Sequence, residues 1–197
     1  MITTSKSFLI AALCIATIFV PAGNAGGSAR TTRRSSDWRA RLEKELPLLG
    51  HRNWIAVVDS AYPLQTSGGI ETINTDADPV EVVQTVLDEL SKAKHVRPVI
   101  FTDAELTLVQ ESDAPGVAAY REALCKLLHR LDGGKLEAQS LPHEEIISKL
   151  DEAGKTFHIL VLKSRMTIPY TSVFMRLDCG YWTAEQEKRL REKMGTK

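Results

Sequence analysis

An excess of either charge is missing from this chain. Its 197 residues hold 25 Lys and Arg against 25 Asp and Glu, a formal net charge of zero. A chain with no basic excess lacks the field that draws in nucleic acid, and one with no acidic excess carries no acidic tail. Cysteine is scarce as well. The three residues, Cys14, Cys125 and Cys179, form no CxxC pair and no Cys/His cluster, so a structural zinc site is not expected. The phosphate-cradling loops GxGxxG and GxxxxGK[ST] are absent, as are the hydrolase elbow GxSxG and the zinc-protease pair HExxH. With 12 Gly and 8 Pro the chain is neither collagen-like nor proline-rich. What it does have is 43% apolar and 25% charged residues, ordinary globular composition and enough length for one domain with a real core.

The one long apolar run is Phe8 to Val20 (FLIAALCIATIFV). It follows Lys6, is broken by Pro21, and leads to small residues at Gly23 and Ala25. That layout predicts a secretory signal peptide over 1–25, too short for an ordinary membrane span, and hence an exported, periplasmic or secreted protein. Residues 26–36 (GGSARTTRRSS) read as a flexible leader. Export would leave Cys125 and Cys179, free to form one disulfide or to stay as thiols, with Cys125 expected in the core.

The body of the chain alternates helical and strand patterns. Asp37 to Leu49 reads as a helix, with Trp38, Leu42 and Leu46 at spacing four. Trp54–Val58 (WIAVV) is a continuous apolar run closed by Asp59, the pattern of a strand covered on both faces. Asp78-Pro79 opens a helix to Lys92. Strands are expected at Pro98–Phe101, Leu136–Ser140, Phe157–Leu162 and Val173–Leu177, and helices at Val117–Leu131, stopped by Gly133-Gly134, and His143–Ala153. Residues 37–182 are thus expected to form one α/β domain around a central, mostly parallel sheet. Residues 183–197 read as a charged helical tail.

In open α/β sheets ligands bind beyond the carboxyl ends of the strands, which puts Asp59 at the expected rim. An Asp there is also a common cap of its own turn. His51, in the loop before the strand, adds an imidazole eight positions upstream. His158 is expected in the core, and His95 and His129 on the surface. Trp54 is expected in the core, with stacking on the ring of a bound ligand as the alternative.

The stretch Leu49 to Pro63 (LGHRNWIAVVDSAYP) resembles the signature of the D-ribose pyranase and L-fucose mutarotase family: a Gly-His pair (Gly50, His51), a core strand, then Asp-Ala-x-x-Pro (Asp59, Pro63). His143 in LPHEE resembles the histidine of ribose-type members. Tyr120 and Arg121 resemble a helix of fucose-type members, and Tyr170-Thr171-Ser172 stands where the family has Tyr-Gly-Asn. The resemblance implies a three-layer α/β/α sandwich and a ring-shaped homo-oligomer, typically a decamer, with sites near subunit contacts. It also implies an isomerase that interconverts anomers, or pyranose and furanose forms, of a free monosaccharide such as ribose or fucose, without cofactor or metal. No nucleic acid partner is implied, and no membrane contact after signal cleavage.

Opening a hemiacetal needs a base at the anomeric hydroxyl and an acid at the ring oxygen, and histidine serves either direction near neutral pH. The resemblance therefore implies His51 as acid/base and Asp59 as its orienting partner or the second base. His143 is a second acid/base or a hydroxyl ligand, and Tyr170 a hydroxyl donor. Ser172 offers one hydroxyl where the family has an amide. Arg52, where the family has a small residue, either narrows the pocket or pairs with Asp59. Tyr120 and Arg121 are substrate-binding candidates or ordinary helix contacts. The alternative function is a non-catalytic exported sugar-binding or envelope interaction protein on the same fold.

Overall fold

The computed structural model describes residues 38–130 and 138–195. The expected signal peptide, the leader and the Gly133-Gly134 stop lie outside the described residues. In chain order the elements are α1 (38–45), a 3-10 turn Leu46–Leu48, β1 (Trp54–Val58), β2 (Ile70–Asn74), α2 (Pro79–Lys92) and β3 (Val96–Asp103). A second 3-10 turn, Ala104–Thr107, is followed by α3 (Val117–Arg130), β4 (Gln139–Leu141), α4 (His143–Gly154), β5 (Ile159–Lys163), β6 (Val173–Cys179) and α5 (Ala184–Gly195). No described helix is long and apolar enough to cross a membrane.

Local chemistry accounts for the boundaries. Pro47 ends α1 early, in the 3-10 turn. Asp78 caps α2 by accepting from the backbone N–H groups of Val80 and Glu81, with Pro79 in the first helical position. The strand β2 was not expected: IETIN is short and only half-buried, so it lacks the apolar run that marks its neighbours. Its entry is tight, because a Cβ at Gly69 would lie 2.4 Å from the carbonyl oxygen of Gly154.

The sheet order is β2-β5-β1-β6-β3-β4. β6 runs antiparallel to both β1 and β3, and the remaining pairings are parallel. The mostly parallel sheet is therefore as expected, with β6 as its one reversed strand. Side chains alternate between two cores. Ile55, Val57, Leu160, Leu162, Val173 and Met175 meet α1, α2 and α3 on one face. Trp54, Ala56, Val161, Phe101 and Phe174 meet Ile146 and Leu150 of α4 on the other. This is the α/β/α sandwich. Each fully buried aliphatic side chain contributes about 1.5–3 kcal/mol. No residue of α5 is buried.

Two expectations about the core are corrected. Cys125 is exposed, because α3 turns Leu124, Leu127 and Leu128 inward and leaves position 125 outside; both Cys125 and Cys179 are free thiols. His158 precedes β5 rather than lying within it, and is half-buried. Trp54 is core, its ring centroid 5.5 Å from that of Phe101.

Candidate active site

Because β6 alone is reversed, one edge of the sheet collects the carboxyl ends of five strands and the amino end of β6. Asp59, Asp103, Leu141, Lys163 and Ser172 all fall on that edge. A cavity of about 270 Å³ opens there between the turn after β1 and the start of α4, bordered by Asp59, Tyr62, Gln65, His143 and Glu144. It sits just below the roughly 300–1,000 Å³ of pockets for drug-sized ligands, which suits a small solute. Larger hollows exist, one of about 660 Å³ beside α1, but it lies away from the turn after β1 that carries Asp59.

His143 is the first residue of α4. Its backbone N–H donates to both carboxylate oxygens of Glu105, at 3.1 and 3.0 Å. Its Nδ1 lies 3.0 Å from Oδ1 of Asp103, whose side chain is fully buried. Burial pushes the Asp103 carboxyl above its ordinary range, against the opposing pull of His143. The Tyr170 ring stands edge-on to the imidazole, centroids 5.6 Å apart at 82°.

Tyr170 has φ +58°, the left-handed region, a strain of order 1–3 kcal/mol for such a residue. Two hydrogen bonds hold the strained turn: Tyr120 donates its hydroxyl to the Thr171 carbonyl at 2.6 Å, and Thr171 Oγ1 donates to the Ile168 carbonyl at 2.8 Å. Asp59 accepts from the Ala61 N–H at 2.7 Å through Oδ1, so it caps its own turn while bordering the cavity. Tyr62, beside it, is buried, and its phenol is pushed up to about 12 by desolvation, then by Asp151, Asp103 and Asp59.

The other expected site residues lie elsewhere. His51 precedes β1, at the opposite edge from Asp59. Five residues of strand separate the two loops, about 17 Å at 3.3 Å per residue. Within one chain the partner of His51 is Asp178, not Asp59: Nδ1 lies 2.9 Å from Oδ1. Arg97 donates to Oδ2 of the same carboxylate at 2.9 Å. Desolvation pushes Asp178 up but is outweighed by Arg97, the Cys179 N–H and His51, so its carboxyl sits below the ordinary range. Arg52 is on that same edge, with φ +77° and its guanidinium over the Phe157 ring at 5.6 Å, so it neither narrows the Asp59 cavity nor pairs with Asp59. Tyr120 is buried in α3 and its hydroxyl is given to the Thr171 carbonyl. Arg121 donates through Nη1 to the carbonyls of Leu106, Thr107 and Val109 at 3.0–3.2 Å, pinning the loop after β3. Ser172 is buried at the start of β6.

Sequence reasoning missed Asp103, Glu105 and Tyr62. The signal for Asp103 was present: PVIFTD repeats the syntax of WIAVVD, an apolar strand closed by Asp. Among the described residues one group, Glu45, Glu71 and His158, is close enough to share a cation, its ligand atoms within 4.8 Å of one another. The Arg41 guanidinium already pairs with both carboxylates there.

No family model matches the chain, and neither does any curated protein. Similar solved structures exist. RbsD of Bacillus subtilis complexed with D-ribose is 20% identical, over 73% of this chain and 94% of that one, with TM-score 0.48. FucU from Bifidobacterium longum is 14% identical over 69% and 90%, with TM-score 0.49. The fucose mutarotase from Streptococcus pneumoniae in complex with L-fucose is 17% identical over 71% and 91%, with TM-score 0.46.

Proposed function

We propose that this protein interconverts the cyclic forms of a free reducing monosaccharide by acid/base ring opening at the Asp59–His143 cavity. The observation that carries this reading is His143 itself. Its Nδ1 is engaged by Asp103, its side chain borders the cavity, and its Nε2 has no hydrogen-bond partner among the described residues. An imidazole so placed can take the anomeric hydroxyl proton and return it after the ring recloses on the other face. Asp59 is the polar contact for a sugar hydroxyl, and Tyr170 lies beside the imidazole to help place the ring. The cavity border carries Asp59 and Glu144 and no Lys or Arg, which favours a neutral sugar over a phosphorylated or acidic one.

Ring opening also wants an acid at the ring oxygen. His51, exposed on the opposite edge of the same chain, fits that role if it arrives from a second copy packed head to tail. Assembly into a homo-oligomer belongs to the proposal, as does export through residues 1–25.

The test is saturation exchange between anomers of ribose, fucose, galactose and glucose by NMR. Purified protein should accelerate exchange of at least one sugar over buffer, and His143→Gln should abolish the acceleration. No acceleration across the panel removes the enzymatic reading. Sugar-dependent thermal stabilisation without faster exchange would instead support a binding protein.

A further inference from the structure

The pairing of Asp103 with His143 is more than packing. A carboxylate taken wholly out of water loses its hydration, and partners must offset that loss. Asp103 has few. Oδ1 meets His143 Nδ1 at 3.0 Å, while Oδ2 is buried with no hydrogen-bond partner among the described residues. Nor does the fold need this carboxylate to start α4. Glu105 already binds the backbone N–H of His143 with both oxygens. Two acids from one short segment thus hold one residue, one by its main chain and one by its ring. The first fixes where the histidine sits, and the second bears on which ring nitrogen carries the proton.

We propose that Asp103 is the positioning residue of His143: it holds Nδ1 as the donor, so that Nε2 faces the cavity as a bare base. This rests on the activity proposed above for the same cavity. The proton balance follows. In the resting couple Asp103 is ionised, His143 is neutral with its hydrogen on Nδ1, and the pair carries one negative charge. The sugar O–H bond breaks, an N–H bond forms at Nε2, and the pair becomes net neutral as imidazolium against carboxylate. The reverse transfer, to the sugar oxygen that needs it, restores the start. A buried site favours this direction, because taking up the proton removes net charge from it. On the cavity side the surrounding groups, Asp59, Tyr62, Glu105 and Glu144, are acids; on the other side Asp103 shares a hollow with Arg121, whose Nη1 donates to the carbonyls of Leu106, Thr107 and Val109, and with His129, whose Nδ1 meets the Cys125 carbonyl.

Long-range nitrogen–proton NMR on the full chain, uniformly nitrogen-15 labelled, decides the matter. The His143 signals are assigned by their disappearance in His143→Gln. In the unmodified protein the neutral ring should show a protonated Nδ1 and an unprotonated Nε2, and the opposite tautomer would overturn the proposal. In Asp103→Asn the amide can donate to Nδ1, so the tautomer should reverse. The exchange kcat should then fall at least about tenfold with KM changed less than about twofold. An unchanged tautomer and kcat in a folded Asp103→Asn would overturn the proposal. If that variant does not fold, the unmodified protein's tautomer still decides. The expected tautomer in a protein that accelerates no sugar exchange upholds the role of Asp103 and sinks the activity.

Discussion

Removing the hydroxyl of Tyr120 should separate a brace from a ligand. That hydroxyl is buried in α3 and donates at 2.6 Å to the carbonyl of Thr171, itself buried. Tyr120→Phe keeps the ring and its packing but strips a buried carbonyl of its donor, a loss of about 1–3 kcal/mol. For a chain of this length each kcal/mol moves Tm by about 2–4 °C, so the variant should melt about 2–12 °C lower. The consequence reaches the site through one residue. Tyr170 sits at φ +58° immediately before Thr171, and a strained turn persists only while its surroundings over-determine it. Once Thr171 is loosened, the Tyr170 ring should leave its edge-on position against His143, and the His143 ring signals in NMR should shift. Calorimetric melting and the nitrogen–proton spectrum check both halves. A Tm within about 1 °C of the unmodified protein, with sugar affinity reduced, would refute the reasoning and return Tyr120 to the role of a direct sugar ligand.

Mixing His51→Ala and His143→Ala oligomers after dissociation and reassembly should restore sugar exchange that neither variant has alone, since the two rings lie at opposite sheet edges of one chain; no recovery in NMR exchange would reject the second-copy role of His51. In base, Tyr62 should set part of the stability limit. Its folded pKa of about 12 lies above the ordinary 10.0, so its neutral form stabilises the fold fully below pH 10 and less as pH climbs towards 12. Denaturant melts across that window should fall less steeply for Tyr62→Phe, and identical slopes would reject the assignment.

The elements with a strong apolar signature were legible in the residues alone. WIAVV announces a strand covered on both faces, VFMRL a further strand and Asp78-Pro79 a capped helix, and the structure has β1, β6 and α2 at those places. IETIN was not legible, because an edge strand that is only half-buried carries no apolar run. Asp103 was overlooked although its strand ends as β1 does, since nothing along the chain brings position 103 beside position 143. Tyr120 and Arg121 stayed open between ligands and helix contacts because residue type does not reveal whether a polar tip faces a cavity or a carbonyl.

By itself the sequence determined the layering. Alternating apolar strands and amphipathic helices have to bury two sheet faces, and the chemistry of Asp59, His143 and Tyr170 is carried by their residue types. Only the tertiary structure decided which of those groups meet. The reversal of β6 brings Tyr170 and Ser172 to the carboxyl edge with Asp59, Asp103 and His143, and sends Asp178 to the amino edge to take His51. Strand direction is a long-range choice, set by which neighbours a strand pairs with, and spacing along the chain holds no record of it.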